Sequence, residues 1–485
     1  MQLFKGLLKS QTTYSIAFAF LILYVALRAV FVNITHDEAW SFHNIKNFWY
    51  AEFLCTGNSH WFNSLAMKTS MILGFERVFF LRWLSLVSFI VTCGFGLWWL
   101  KSFEDTSTKL LAFCIIFLNP YLLDYFGLAR GYAGAIMLQC LTLYFFLKGL
   151  NFQKRNTFLA ALVCSGLSAI SNYGFVYFFF AFSLVYFYTI YFKQGKALLK
   201  NKQFYFDLAF VFGIAFIIVR AFIFILRCSG DVVGAGEPSF LSMFHVFLDG
   251  LSYYKFTFSK LIQYGFSLVV FLMIVISCTI GILKKTKHQN NLYYFTSIIL
   301  SIMILNMVLN YFCFNVVYPF YRAAQLLFIP AYIVIVHFFN YLVSPYKLIK
   351  TVSYLISVLL LINFIYTANI TYAFDYREQA DSEDCFNRVK NLNAKHVGIS
   401  PELYGVFANY YQMSDTKNYK FVGDIIVTCF PKGKCTIPNK LAEFDYLIVF
   451  TPYNLSYYKN SNVLLSAVYL SPTTKNLILR VEKKP

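Results

Sequence analysis

The chain has 485 residues, 59% hydrophobic and 13% charged, with a mean hydropathy of +0.59; soluble globular proteins run at roughly 45 to 50% and 25%. A water-soluble fold cannot hide that much apolar surface, and disordered, collagen-like, coiled-coil and small disulfide-scaffold classes are excluded by the same figures. The net charge of +19 does not point to nucleic acid, because 27 Lys/Arg stand against 11 Asp/Glu in residues 1–372 and 14 against 11 in 373–485, which puts the excess in the apolar part of a polytopic α-helical membrane protein whose partner is the lipid bilayer.

A spanning helix needs about 20 mainly apolar residues. Stretches of that kind lie near 12–33, 78–100, 109–127, 131–149, 156–172, 175–192, 204–227, 260–283, 292–312, 323–343 and 350–372, which predicts about eleven spans. The pair flanking Ser171-Asn172-Tyr173-Gly174 reads equally well as a re-entrant hairpin. Lys5/Lys9, Lys101/Lys109, Lys148/Lys154/Arg155, Lys193/Lys196/Lys200/Lys202, Lys284/Lys285/Lys287 and Lys347/Lys350 fall on one side, and that side is expected to be cytoplasmic. The N-terminus is then inside an inner (plasma) membrane and an odd span count puts the C-terminus outside. The first span, with Lys5 and Lys9 before it and no small-residue cleavage site after it, is expected to stay as an uncleaved anchor.

Composition changes at residue 373, where Asp375, Glu378, Asp381, Glu383 and Asp384 cluster and the apolar runs shorten. The reading is a membrane domain over 1–372 and a small α/β domain over 373–485 outside the membrane. Residues 396–400, 419–422, 444–450 and 476–481 read as strands, with helical pattern near 382–393 and 402–412. Cys93, Cys114, Cys140, Cys164 and Cys278 fall inside spans as small apolar residues. Cys429 and Cys435 flank a five-residue loop that a disulfide can close on the oxidising side, although sequence alone leaves that pairing open.

Asp37 and Glu38 directly follow the first span, in an outer loop over 34–77, and an acidic pair at the mouth of an apolar bundle is costly unless solvated, paired or used. One reading is a helix N-terminus, with Thr35 as cap and both carboxylates complementing the dipole. The same loop carries Trp40, Trp49, Tyr50, His60, Trp61, Phe62 and Lys68. Interfacial aromatic segments explain the rings but not the acid pair followed by His60 and Lys68.

This arrangement resembles the GT-C superfamily of integral-membrane glycosyltransferases, in particular the branch with protein mannosyltransferases and the lipid A aminoarabinose transferase. The resemblance rests on four motifs in order: Asp37-Glu38 after the first span, Asn58-Ser-His60 with Asn63-Ser-Leu and Lys68, Arg77 and Arg82 with Ser85-Leu86 opening the second span, and Asp124 through Arg130-Gly-Tyr132 followed later by Tyr318-Pro-Phe-Tyr-Arg322 up to Pro330. It covers about 1–150 and 310–335, and the His-Pro-Pro pattern common in mannosyltransferases is His60-Trp61-Phe62 here.

The resemblance implies an inverting transfer of a sugar from a polyprenyl-phosphate donor to a hydroxyl acceptor on a lipid, glycan or protein at the outer face. A carboxylate must then take the acceptor proton, and Asp37 is the candidate, with Glu38 tuning or supporting it. The departing phosphate needs cations, for which Arg130, Arg322 and Lys68 stand ready, with His60 beside them. Asp124, Tyr132 and Tyr318 are candidate substrate contacts. Each cation also has a plain reading as an interfacial anchor or snorkelling side chain. Asp37, Glu52 and Asp124 are oxygen ligands of the kind Mg²⁺ takes, but no second acidic pair accompanies them, and no required metal or cofactor is expected. A polyprenyl-linked glycan polymerase or ligase and a lipid or glycan transporter are the rival classes, Arg220 within the seventh span speaking for the transporter.

Overall fold

In the computed structural model, residues 10–47, 60–191, 201–229, 236–253, 258–283, 291–343, 346–392, 397–399, 403, 406–407, 410, 445–449, 463–474 and 476–483 are described. The chain forms two compact units. The first takes in residues up to 26, 54–66 and 82–368; the second takes in 27–53, 67–81 and 369–485.

The first unit is helical. Among the described residues nine helices are long and apolar enough to cross a membrane, ten if one bent pair counts as a single span. The protein is a multi-pass membrane protein. The helices leave large apolar side chains outward, such as Phe212, Phe216, Leu359, Ile362 and Ile365, which water does not tolerate over such areas but lipid does. One span, Arg155–Ser171, is as short as its sequence reading had it, 17 residues or ~25 Å of rise, and one differs from its reading. The stretch expected as one helix over 109–127 is Thr106–Phe117 followed by Pro120–Phe126 at 54°. Pro120 lacks the N–H that would continue the first helix and stands at the start of the next, where it is tolerated. Asn119 caps that second helix by accepting from the Leu122 N–H at 3.1 Å.

Side chains close the ends of this unit's elements. Asp105 caps Thr106–Phe117 through the Ser107 and Thr108 N–H groups and pairs with Lys350. Burial works against its charge, yet the Lys350 ammonium and these donors hold its carboxyl below the usual range. Gly131–Phe152 and Arg155–Ser171 form a hairpin closed by Gln153 in the left-handed region (φ 52°). Their contact is tight: a Cβ on Gly131 would lie 2.1 Å from the Ser171 carbonyl oxygen and 2.6 Å from His60 Nδ1. Ser171 Oγ donates to the Gly131 carbonyl and Ser168 Oγ to that of Ala135, both at 2.9 Å, the kind of polar bond that joins helices in lipid. At one end of the unit the buried Asp207 accepts from Arg155, from Tyr186 at 2.7 Å and from Tyr191 at 2.6 Å. Arg220 is exposed on the helix Lys202–Ser229. A two-residue ladder, β1 (Gly236–Glu237) with β2 (Tyr318–Pro319), is antiparallel.

The second unit contains a four-stranded sheet, β3 (Val397–Ile399), β4 (Tyr446–Val449), β5 (Val463–Leu470) and β6 (Leu477–Lys483). Its order is β3-β4-β6-β5, with β3 and β4 parallel and the other pairs antiparallel. Three strands fall where the apolar runs predict them; β5 is an addition. The expected strand over 419–422 and most of the expected helix over 402–412 lie outside the described residues. The helix Ser382–Asn391 buries Cys385, Phe386 and Val389, and burial pushes the Cys385 thiol up to about 12. Asp381 accepts from the Thr473 N–H at 2.9 Å and the Thr474 N–H at 2.7 Å. Burial opposes ionisation there too, but these donors keep its carboxyl below the ordinary range. Arg28, at the end of the first long helix, donates to the carbonyls of Asn369 at 2.5 Å and Tyr372 at 2.8 Å. Cys429 and Cys435 lie outside the described residues.

Candidate active site

The helix His36–Asn47 of the second unit carries both carboxylates of the acidic pair, and they have different jobs. Glu38 Oε2 accepts from the Thr35 N–H at 2.9 Å, while the Glu38 N–H donates to Thr35 Oγ1 at 3.3 Å. This reciprocal pair is a capping box, which satisfies donors that a helix start leaves open. Thr35 therefore caps as its side chain predicts, and Glu38 completes the cap. Asp37 stands outside that exchange. Its Oδ2 accepts from Tyr376 Oη at 2.5 Å, and Tyr376 sits on a 3-10 turn, Phe374–Gln379. The same turn sends Gln379 Oε1 to the His36 N–H at 2.6 Å, so one turn holds the start of the helix from two sides. Asp37, Glu38 and Tyr376 are all buried. Lys68 donates to the carbonyl of Ile45, in the last turn of the same helix, at 3.2 Å, where a cation complements the dipole.

In the first unit the candidate residues gather around the loop from Gly127 to Gly131. Asp124, on Pro120–Phe126, accepts from Tyr253 Oη at 2.9 and 2.7 Å. The loop carbonyls are tied down: Ser85 Oγ donates to Leu128 at 2.5 Å and Asn63 Nδ2 to Ala129 at 2.7 Å. The next residue, Arg130, is buried and extended immediately before the helix that begins at Gly131. One residue further, the Tyr132 ring lies 4.7 Å from Tyr125 and 5.5 Å from His60. Gly131 has no side chain, and that lets His60 approach this loop closely. His60, Asp124, Arg130 and Tyr132 thus form one buried polar neighbourhood on neighbouring elements.

Arg322 and Tyr318 lie further along. Tyr318 is buried with its ring stacked on Tyr311 at 4.8 Å and edge-on to Phe240 at 5.4 Å, a packing role. Arg322 is half-buried on the 3-10 turn Tyr321–Leu327, which opens with Tyr321 in the left-handed region at φ 46°. Gln325 follows one 3-10 turn after Arg322 and is fully buried, and Gln139 donates to the adjacent Leu326 carbonyl at 3.1 Å. Asp249 is buried; desolvation holds its carboxyl above the usual range although Gln263 donates to it at 3.3 Å. Among the described residues no three His, Cys, Asp or Glu side chains cluster as a metal site requires, and Glu52 lies outside them.

Sequence reading missed Tyr253, Tyr376 and Gln379. Tyr253 and Tyr376 are long-range partners of residues it did find, and a chain with 37 tyrosines offers no local signal for which one is chosen; Gln379 meets the backbone of His36, which that reading did not single out.

No family model matches the chain. Mouse sorting nexin-31 (Mus musculus) is 26% identical over 98 residues, 20% of this chain, and the chain spans 18% of that relative's length. Among solved structures, ArnT from Cupriavidus metallidurans in the apo state is similar with a TM-score of 0.42 and 11% identity, over 96% of this chain and 98% of that one. The same protein bound to undecaprenyl phosphate gives 0.41 and 9%, over 97% and 98%.

Proposed function

We propose that the chain is a GT-C-type membrane glycosyltransferase that moves a sugar, with inversion, from a polyprenyl-phosphate donor to a hydroxyl acceptor outside the cytoplasm. The observation that carries the reading is the division of labour in the acidic pair. Glu38 is occupied by the capping box, whereas Asp37 is buried outside it and accepts from Tyr376. A helix start needs no second buried acid of this kind, and a general base does.

In the reaction the acceptor oxygen bonds to the anomeric carbon as the carbon–oxygen bond to phosphate breaks. The electron pair leaves on the phosphate and the acceptor proton passes to Asp37. The transition state has oxocarbenium character, as in glycoside hydrolysis. Tyr376 orients the base. Arg130 and Arg322 neutralise the leaving phosphate, which needs charge rather than a proton, and Asp124, Tyr132 and His60 shape the donor site around Arg130. No metal is required, and the acceptor is a lipid, glycan or protein of the cell envelope. The N-terminus is cytoplasmic and the α/β unit lies outside. A transporter reading leaned on Arg220, whose exposed position is not that of an interior charge on a substrate path.

The test is transfer from a panel of radiolabelled polyprenyl-phosphate sugars by purified protein. Label should reach a membrane acceptor with wild type and not with Asp37→Asn, while Arg130→Ala should weaken donor binding as well as turnover. Normal single-turnover transfer by Asp37→Asn would remove the assignment of the base.

A further inference from the structure

The second unit contains a groove of about 570 Å³ that the chemistry above does not use, a size within the usual range of small-molecule sites. Three stretches build it. The helix Ser382–Asn391 contributes Glu383, Phe386, Asn387 and Lys390, spaced i, i+3, i+4 and i+7, so they form one stripe along its face. The helix His36–Asn47 contributes Phe42 and Lys46, one turn apart. The third stretch is the turn at Gly74, whose φ of 79° suits glycine and brings Glu76 and Arg77 to the lip. Tyr410 joins from the tail, its ring edge-on to Phe42 at 5.2 Å and its hydroxyl donating to the Glu76 carbonyl at 3.3 Å.

The lining is three cations, two carboxylates, one amide and three aromatic rings. Lys46 pairs with Glu76 at 3.0 Å; among the described residues neither Arg77 nor Lys390 makes an ion pair. The fold does not need this charge, since exposed pairs contribute little to stability. Amide, carboxylate and guanidinium groups are planar donors and acceptors that match neighbouring sugar hydroxyls in pairs, and ring faces take sugar C–H surfaces. The excess positive charge selects an anion.

We propose that this groove binds a saccharide bearing a phosphate or carboxylate, the anionic headgroup of the acceptor, with Arg77 and Lys390 on the anion and Glu383, Asn387 and Tyr410 on the hydroxyls. The role as acceptor site rests on the glycosyl-transfer reading above; the binding itself does not.

The experiment is a binding titration of the full-length protein in detergent with glucose 6-phosphate, glucuronate, glucose and inorganic phosphate, and with nanodiscs containing phosphatidylglycerol. Wild type should bind the two anionic sugars at least ten-fold more tightly than glucose or phosphate. Arg77→Ala/Lys390→Ala should lose that preference with an unchanged melting temperature, and Arg77→Lys/Lys390→Arg should restore it. Asp37→Asn should bind as wild type does, so loss of transfer and loss of this site are read separately. Unchanged affinity in the double alanine variant overturns the proposal. Equal binding of inorganic phosphate, or binding only to the nanodiscs, also overturns it, in favour of a simple anion or membrane-surface patch.

Discussion

Asp207 and Asp37 are both buried carboxylates held by tyrosine hydroxyls, and they teach opposite lessons. Asp207 accepts from two nitrogens of Arg155 and from two tyrosines. Its charge is cancelled and its oxygens are engaged by four donors, an arrangement suited to fastening helices. Asp37 sits in the first turn of a helix whose capping its neighbour Glu38 performs, and the tyrosine that holds it comes from a turn 339 residues away in sequence. Burial alone therefore does not give a carboxylate its role; the groups around it do.

The sharpest way to break this contrast is at Asp207. Asp207→Ala strands the Arg155 guanidinium and should cost about 3–5 kcal/mol, read as a lowered unfolding midpoint in detergent, with turnover per folded molecule unchanged. Asp37→Asn should do the reverse, lowering single-turnover transfer by about 10²-fold or more with the midpoint unmoved. If both variants behave alike, the distinction fails. Tyr376→Phe removes a charge-assisted hydrogen bond from the base and should lower turnover by about 10-fold while donor affinity stays constant. Glu38 separates from its neighbour by stability: Glu38→Ala should cost about 1 kcal/mol, and Glu38→Gln only a few tenths, because Gln also completes a capping box. The smallest effect is one of pH. Asp381 ionises more readily folded than unfolded, so its contribution is present above the unfolded value of about 3.9 and is lost as pH falls through the lower folded value. Acid titration of unfolding should show that slope, and Asp381→Asn should flatten it.

Much of the membrane part was legible because hydrophobic length is a local property. The helices Gln11–Phe31, Gly131–Phe152, Lys260–Leu283 and Asn291–Phe314 lie within a few residues of the apolar stretches that predict them. The break between Phe117 and Pro120 was not read, since the apolar run continues through it and the decisive events are a missing N–H and an Asn119 cap. In the second unit, β5 lacks apolar alternation, with Leu464, Val468 and Leu470 all exposed. Asp37, Arg130 and His60 were found by motif. The partner of Asp37 was not, because a hydrogen bond across hundreds of residues leaves no spacing to detect. Nor does the acidic pair's pattern say which member caps; that required seeing Thr35 and Glu38 exchange bonds.

The clasp of Arg28 on the carbonyls of Asn369 and Tyr372, like the bond from Tyr376 to Asp37, sets a clock for biosynthesis. A ribosome adding ~5–20 residues per second needs roughly 20 to 70 s to travel from the helix that bears Asp37 to the turn that holds it. Until then the acid has no tyrosine, Arg28 has neither carbonyl, and the helix start lacks Gln379. A nascent chain interrupted anywhere in the last several spans would carry Asp37 and the helix start without the turn that holds them.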